Sequence, residues 1–133
     1  MRGIARKVML TVDRIIEAPP SAVWRLLSDL DAWPKWGPPI RHAELDGPHE
    51  SLELHATGTV YTWLPVGLPF VITEFEPQRS WAWSVAGIEA TRHRVEPLNG
   101  GARASIAVPW WAAAYLPVCA VALRRIERMA TRF

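Results

Sequence analysis

Along the chain the hydrophobic pattern switches between a period of two and a period near 3.6, and each switch marks an element. Residues 8–16 (VMLTVDRII) are rich in β-branched and aliphatic side chains and read as a first strand. Ala18-Pro19-Pro20-Ser21 closes it and opens a helix, with Ser21 as the expected N-cap. Val23, Leu26, Leu27 and Leu30 fall at i, i+3, i+4 and i+7, an amphipathic stripe ending near Asp29. A second short helix or turn holds Trp33 and Trp36, and Gly37-Pro38-Pro39 stops it. From Ile40 to Val108 the chain reads as strands at about 40–46, 52–64, 68–76, 80–86, 88–96 and 102–108, divided by turn residues such as Asp46-Gly47-Pro48 and Asn99-Gly100-Gly101. Trp81-Ala82-Trp83-Ser84-Val85 shows the alternation well, with both tryptophans and Val85 on one face. From Trp110 to Phe133 the pattern is helical: Cys119, Leu123, Ile126, Ala130 and Phe133 share a stripe, and Pro117 is expected to kink or interrupt the first half. The order predicts an α+β fold, a seven-stranded antiparallel sheet curving around one long C-terminal helix, with two short helices between the first two strands.

One stretch has the length of a different element. Ala104 to Leu123 carries no formal charge, and so qualifies as a membrane-span candidate. Pro109, Pro117 and the period-two placing of Ala104, Ile106 and Val108 favour strand followed by helix instead. The N-terminus, MRGIARKVML, lacks the apolar run and small-residue cleavage site of a secretory signal, so a cytoplasmic protein is expected.

Composition narrows the classes. At 133 residues, with half of them hydrophobic and 21% charged, one ordered domain over residues 1–133 is expected. The single Cys excludes a disulfide framework and a cysteine-based zinc site. A net charge of +2 is too small to imply nucleic acid. The excess that asks for an explanation is eight tryptophans.

Several strings are specific. Residues 16–29 (IEAPPSAVWRLLSD) resemble the opening of the START/SRPBCC superfamily in its polyketide cyclase/dehydrase-like branch. Trp33-Pro34-Lys35-Trp36-Gly37-Pro38 is similar to that branch's paired-tryptophan segment, residues 73–83 (TEFEPQRSWAW) to its middle hairpin, and His93-Arg94-Val95-Glu96-Pro97 with Gly100-Gly101-Ala102-Arg103 to its penultimate turn. The resemblance covers nearly the whole chain. It implies a helix-grip fold with a cavity between sheet and C-terminal helix that takes lipids, hormones, polyketides and other apolar molecules. Carriers, receptors and enzymes share that fold, so it does not decide function. Ala102 departs from the Thr frequent in the family's turn, and Trp110–Leu123 is apolar nearly all round where the family's helix is amphipathic.

Within that frame Tyr61 with Trp63, and Trp81 with Trp83, are spaced two apart and share faces that would wall a cavity if they point inward. His93 shares a face with Thr91, Val95 and Glu89 and is the histidine expected inside. There it would take or return a proton in cyclisation and dehydration, with Tyr61 donating to a carbonyl or developing enolate. Trp63, Trp81, Trp83, Thr91, Val95, Trp36 and Tyr115 complete the expected ligand contacts, while Trp33 and Trp36 also read as a structural plug. One bulge, with Gly58 as a candidate, would reverse a strand's faces. His42, His49 and His55 read as surface, Glu74 and Glu76 as solvated, and Cys119 as a small core residue. No metal and no cofactor is implied. Arg124, Arg125, Arg128 and Arg132, with Trp110–Leu123, offer a face for a second copy or a membrane surface. The expected function is therefore binding of a polyketide-, terpenoid- or lipid-like molecule in an internal cavity as a cofactor-independent cyclase/dehydratase of a biosynthetic pathway, the alternatives being a non-catalytic carrier or sensor and a module that docks on a membrane or partner through the C-terminal helix.

Overall fold

The computed structural model describes residues 8–132. The elements run β1 (Met9–Ile16), α1 (Pro20–Ser28), α2 (Trp33–Trp36), β2 (His42–Leu45), β3 (Thr57–Tyr61), β4 (Leu68–Glu76), β5 (Ser80–Val85), β6 (Ile88–Leu98), β7 (Gly101–Pro109), a 3-10 turn (Trp110–Tyr115) and α3 (Leu116–Ala130). One antiparallel sheet holds all the strands in the order β1-β7-β6-β5-β4-β3-β2. Strands β2 to β7 meander through local hairpins, and β1 adds to the far edge against β7. The buried side of α3, Cys119, Ala122, Leu123 and Ile126, packs into the core that the sheet forms with α1 and α2.

The expected architecture is present, with differences at its edges. Ser21 lies inside α1 rather than at its cap. Pro19 takes the extended cap conformation, no side chain caps the helix, and a proline occupies the first turn, where its missing N–H costs nothing. The expected strand 52–64 contracts to Thr57–Tyr61: His55 sits at φ 70° in a turn, and beyond Tyr61 the chain leaves the sheet. The C-terminal helix begins at Leu116, and Pro117 sits in its first turn rather than kinking its interior. The neutral stretch Ala104–Leu123 divides into strand, 3-10 turn and helix, and no helix among the described residues is long and apolar enough to cross a membrane. Phe133 and residues 1–7 lie outside the described residues.

The tryptophans account for the end of α1. A helix leaves its last carbonyls without intrahelical partners. Here Trp33 Nε1 donates to Leu27 O at 2.9 Å, Trp36 Nε1 to Leu26 O at 2.8 Å, and Trp81 Nε1 to Leu27 O at 2.9 Å. The backbone N–H of Asp29 satisfies Arg25 O. Indoles from α2 and β5 thus do the work of a C-cap and fix both elements against α1.

The register shifts place their extra residues on β4 and β6, not at Gly58. Pairing jumps from Ile72/Trp83 to Glu74/Ala82, and from Ala82/Arg92 to Ser84/Glu89. The second shift sets both Ala90 and Thr91 opposite Trp83. Gly58 keeps register in β3 for a different reason: a Cβ there would collide with Glu44 O and with the Phe70 ring. Gly58→Ala is therefore expected to destabilise the protein by roughly 1–3 kcal/mol or more through overpacking, read as a lower urea midpoint at unchanged slope. An unchanged midpoint would contradict this packing.

Candidate ligand cavity

Two adjoining chambers lie between the concave face of the sheet and the segment that leads into α3. The outer one, of about 350 Å³, is walled by Val60, Leu68, Val85, Val108, Trp111 and Ala112, among others. That volume stands at the small end of the ~300–1,000 Å³ common for ligand pockets. The inner one, of about 40 Å³, is bounded by Trp33, Trp36, Trp81, His93, Cys119 and Ala122 and has room for a water or one small polar group. Ile40, Trp83, Thr91 and Tyr115 border both chambers. A larger groove of about 650 Å³ between α1, α2 and α3 is shallow, open and edged by Lys35, Arg125, Arg128 and Arg132. Leu26 and Met129 are its apolar lining, and the four cations around them make it a solvated groove rather than an enclosure for an apolar molecule.

Alternation along β6 delivers the inward side chains. His93 is only 3% exposed, and Val95 beside it is fully buried. The imidazole stacks on the Trp81 indole with centroids 4.0 Å apart and meets Trp36 edge-on. Its Nε2 lies 3.0 Å from Thr91 Oγ1, and its Nδ1 lies 3.4 Å from Trp81 O. Trp83 Nε1 donates to Thr91 Oγ1 at 2.9 Å. Burial pushes the imidazole down to about 3, against a smaller opposing effect of the Trp81 carbonyl. At neutral pH the ring is uncharged and a weak base. Cys119 sits across the inner chamber with its thiol pushed up to about 11 by burial.

Of the side chains expected at the site, the structure brings together His93, Thr91, Trp81, Trp83, Trp36 and Tyr115. Val95 is packed in the core and does not border either chamber. Tyr61 does not reach the cavity. In β3 the inward positions are Gly58 and Val60, so Tyr61 points to the outer surface, where it stacks on His42 and donates to Glu44 Oε1 at 3.3 Å. The Glu44 carboxylate raises its phenol above the ordinary value. Trp63 is 73% exposed, because the strand ends before it and the period-two argument no longer applies. It borders a shallow apolar groove with Pro38, Pro39 and Tyr115 just outside the mouth. Glu74 is not simply solvated: Arg92 grips it through two bonds, at 3.0 and 2.7 Å. Glu53 pairs with His49 at 2.9 Å.

Sequence reasoning missed the roles of Trp33, which walls the inner chamber in addition to capping α1, and of the 3-10 turn, whose Trp111 and Ala112 wall the outer one. It also missed the bond from the Tyr115 hydroxyl to Pro38 O at 3.1 Å, which ties that turn to the segment after α2. No local pattern marks a hydrogen bond between residues so far apart in the chain.

The depressed imidazole carries a stability signature. In the unfolded chain His93 takes up a proton near pH 6.5, whereas in the folded protein it stays neutral down to about 3. Folding stability should therefore be complete above pH 6.5 and fall as pH drops from there toward 3, by up to about 1.4 kcal/mol per pH unit from this group. Urea unfolding of wild type and His93→Gln between pH 7.5 and 4.5 should show the steeper decline in the wild type. Equal slopes would mean the imidazole is not held neutral.

Known proteins supply the context for this geometry. The profile described as polyketide cyclase / dehydrase and lipid transport matches residues 7–132. Among solved structures, a protein from Nitrosomonas europaea superposes with a TM-score of 0.71 at 15% identity, covering 95% of this chain and 96% of its own. The Aha1 dimer from Colwellia psychrerythraea gives 0.65 at 15% identity over 93% and 97% of the two chains. The di-domain ARO/CYC StfQ from the steffimycin biosynthetic pathway gives 0.68 at 11% identity over 92% of this chain and 50% of that one. A search of curated proteins finds no match. The sheet wrapped on a C-terminal helix is the helix-grip fold, and the chain belongs to the polyketide cyclase / dehydrase and lipid transport family, within the START/SRPBCC superfamily.

Proposed function

We propose that this protein binds a small, mostly apolar molecule, of polyketide, terpenoid or lipid type, in the outer chamber and holds it without converting it. The observation that carries this reading is the contrast between the chamber and its polar contents. About 350 Å³ of largely apolar space meets, at Thr91, a small inner chamber whose imidazole has a pKa of about 3 and already turns its Nε2 to the Thr91 hydroxyl. A general base works best with a pKa near the operating pH, and His93 is far below it. Rigid aromatic walls and few polar groups suit shape selection of a ligand.

A second reading, a cofactor-independent cyclase or dehydratase with His93 moving the proton, has two supports. His93 borders the inner chamber, and the fold is shared with the ARO/CYC StfQ. Tyr61 plays no part in it, being on the other side of the sheet.

Native mass spectrometry of the purified protein, followed by organic extraction, tests the binding reading directly. An apolar molecule should co-purify and leave unchanged in mass after incubation. Its conversion would favour the enzyme, and conversion lost in His93→Ala would assign the step. Ala112→Phe, which places a ring in the outer chamber, should weaken binding at least about tenfold, the scale of one blocked apolar contact surface. Tyr61→Phe should bind like the wild type. Unchanged affinity in Ala112→Phe would remove the outer chamber as the binding site.

A further inference from the structure

Trp83, Thr91, His93 and the Trp81 carbonyl form one hydrogen-bonded chain, and simple donor–acceptor accounting fixes where its protons sit. An indole N–H can only donate, so Trp83 gives its proton to Thr91 Oγ1. A main-chain carbonyl can only accept, so the Nδ1 of His93 that faces Trp81 O carries the ring proton. The ring is neutral at physiological pH, which leaves Nε2 as a bare lone pair 3.0 Å from the Thr91 hydroxyl. Thr91 therefore donates to His93. The other indoles of the inner wall, Trp33, Trp36 and Trp81, donate to the carbonyls of Leu26 and Leu27. The Tyr115 hydroxyl donates to Pro38 O.

The result is an inner chamber whose strong side-chain donors are all engaged with the protein. What remains is an acceptor: a threonine oxygen has two lone pairs, Trp83 occupies one, and Thr91 borders both chambers. The Cys119 thiol is at best a weak donor. A ligand carbonyl or ether brought to the inner end would meet lone pairs and aromatic faces and lose its water without replacement. A ligand hydroxyl would find a partner.

We infer that Thr91 is the specificity-determining residue of the cavity, and that its ligand is an apolar ring system whose buried end carries a hydroxyl, not a ketone or an ether. This rests on the reading that the chambers hold an apolar molecule. Trp83 and His93 act through Thr91 as positioning residues. Between them they hold its oxygen in place and turn its proton away from the ligand.

The test uses a matched pair of probes, 2-naphthol and 2-methoxynaphthalene, titrated calorimetrically. Wild type should bind the naphthol about tenfold more tightly, since one buried hydrogen bond separates the two. Thr91→Ser should keep the preference, and Thr91→Val should abolish it. Equal affinities in wild type, or a preference that survives in Thr91→Val, would overturn the inference while leaving the cavity reading intact. Binding of neither probe would overturn the cavity reading itself and this inference with it. Should Thr91→Val fail to fold, nitrogen NMR of the wild-type imidazole supplies an independent check. His93 should be in the Nδ1–H tautomer, and finding the proton on Nε2 would overturn the assignment, because Thr91 would then be free to donate.

Discussion

The carbonyl oxygens at the end of α1 organise this molecule. A buried, unpaired carbonyl is costly, and α1 ends on Asp29 rather than a glycine, with the Asp29 N–H answering only Arg25 O. Leu26 O and Leu27 O are instead met by indoles arriving from α2 and from β5, the latter 54 residues downstream of Leu27. Three elements are thereby fixed to one point. The ring stacking of Trp33 on Trp81, 4.9 Å between centroids, follows from two donors converging on the same oxygen. An indole satisfies this need and fills space at once, which gives tryptophan a structural reason to be abundant here.

The cavity inherits its rigidity from that arrangement. Trp33, Trp36 and Trp81 cannot rotate into the inner chamber without abandoning their carbonyls, so its small volume is held open by bonds made behind the wall. Trp83 is held in the same way from within, by Thr91. The hydrophobic effect would favour closing such a gap. Directional hydrogen bonds on the outer edges of the rings oppose the collapse.

How much of this was legible in the sequence depends on the range of the interaction. Hydrophobic period placed the strands, the short helices and α3, and alternation paired Trp81 with Trp83 on β5 and Thr91 with His93 on β6, all four of which border the inner chamber. The same argument misplaced Tyr61 and Trp63. It needed the face of a strand whose phase is set by Gly58 and Val60 and whose end lies at Tyr61, and neither can be read from a pair of aromatics two apart. The bulge that sets Ala90 and Thr91 together opposite Trp83 is invisible locally, since it arises from how neighbouring strands match lengths. Nor does any pattern reveal that indoles would cap a helix they do not belong to.

The 3-10 turn Trp110–Tyr115 lines the outer chamber yet buries none of its residues fully. Its anchors are the Trp110 N–H on Val8 O at one end and the Tyr115 hydroxyl on Pro38 O at the other, both at 3.1 Å. Ala112 in its middle leaves helical geometry altogether. A segment with so little buried area and so few bonds breathes at a small fraction of the free energy that holds the whole fold. The wall of the outer chamber is therefore unequally secured: Trp83 is tied through its indole to Thr91, whereas Trp111 and Ala112 ride on a six-residue turn fastened mainly at its two ends.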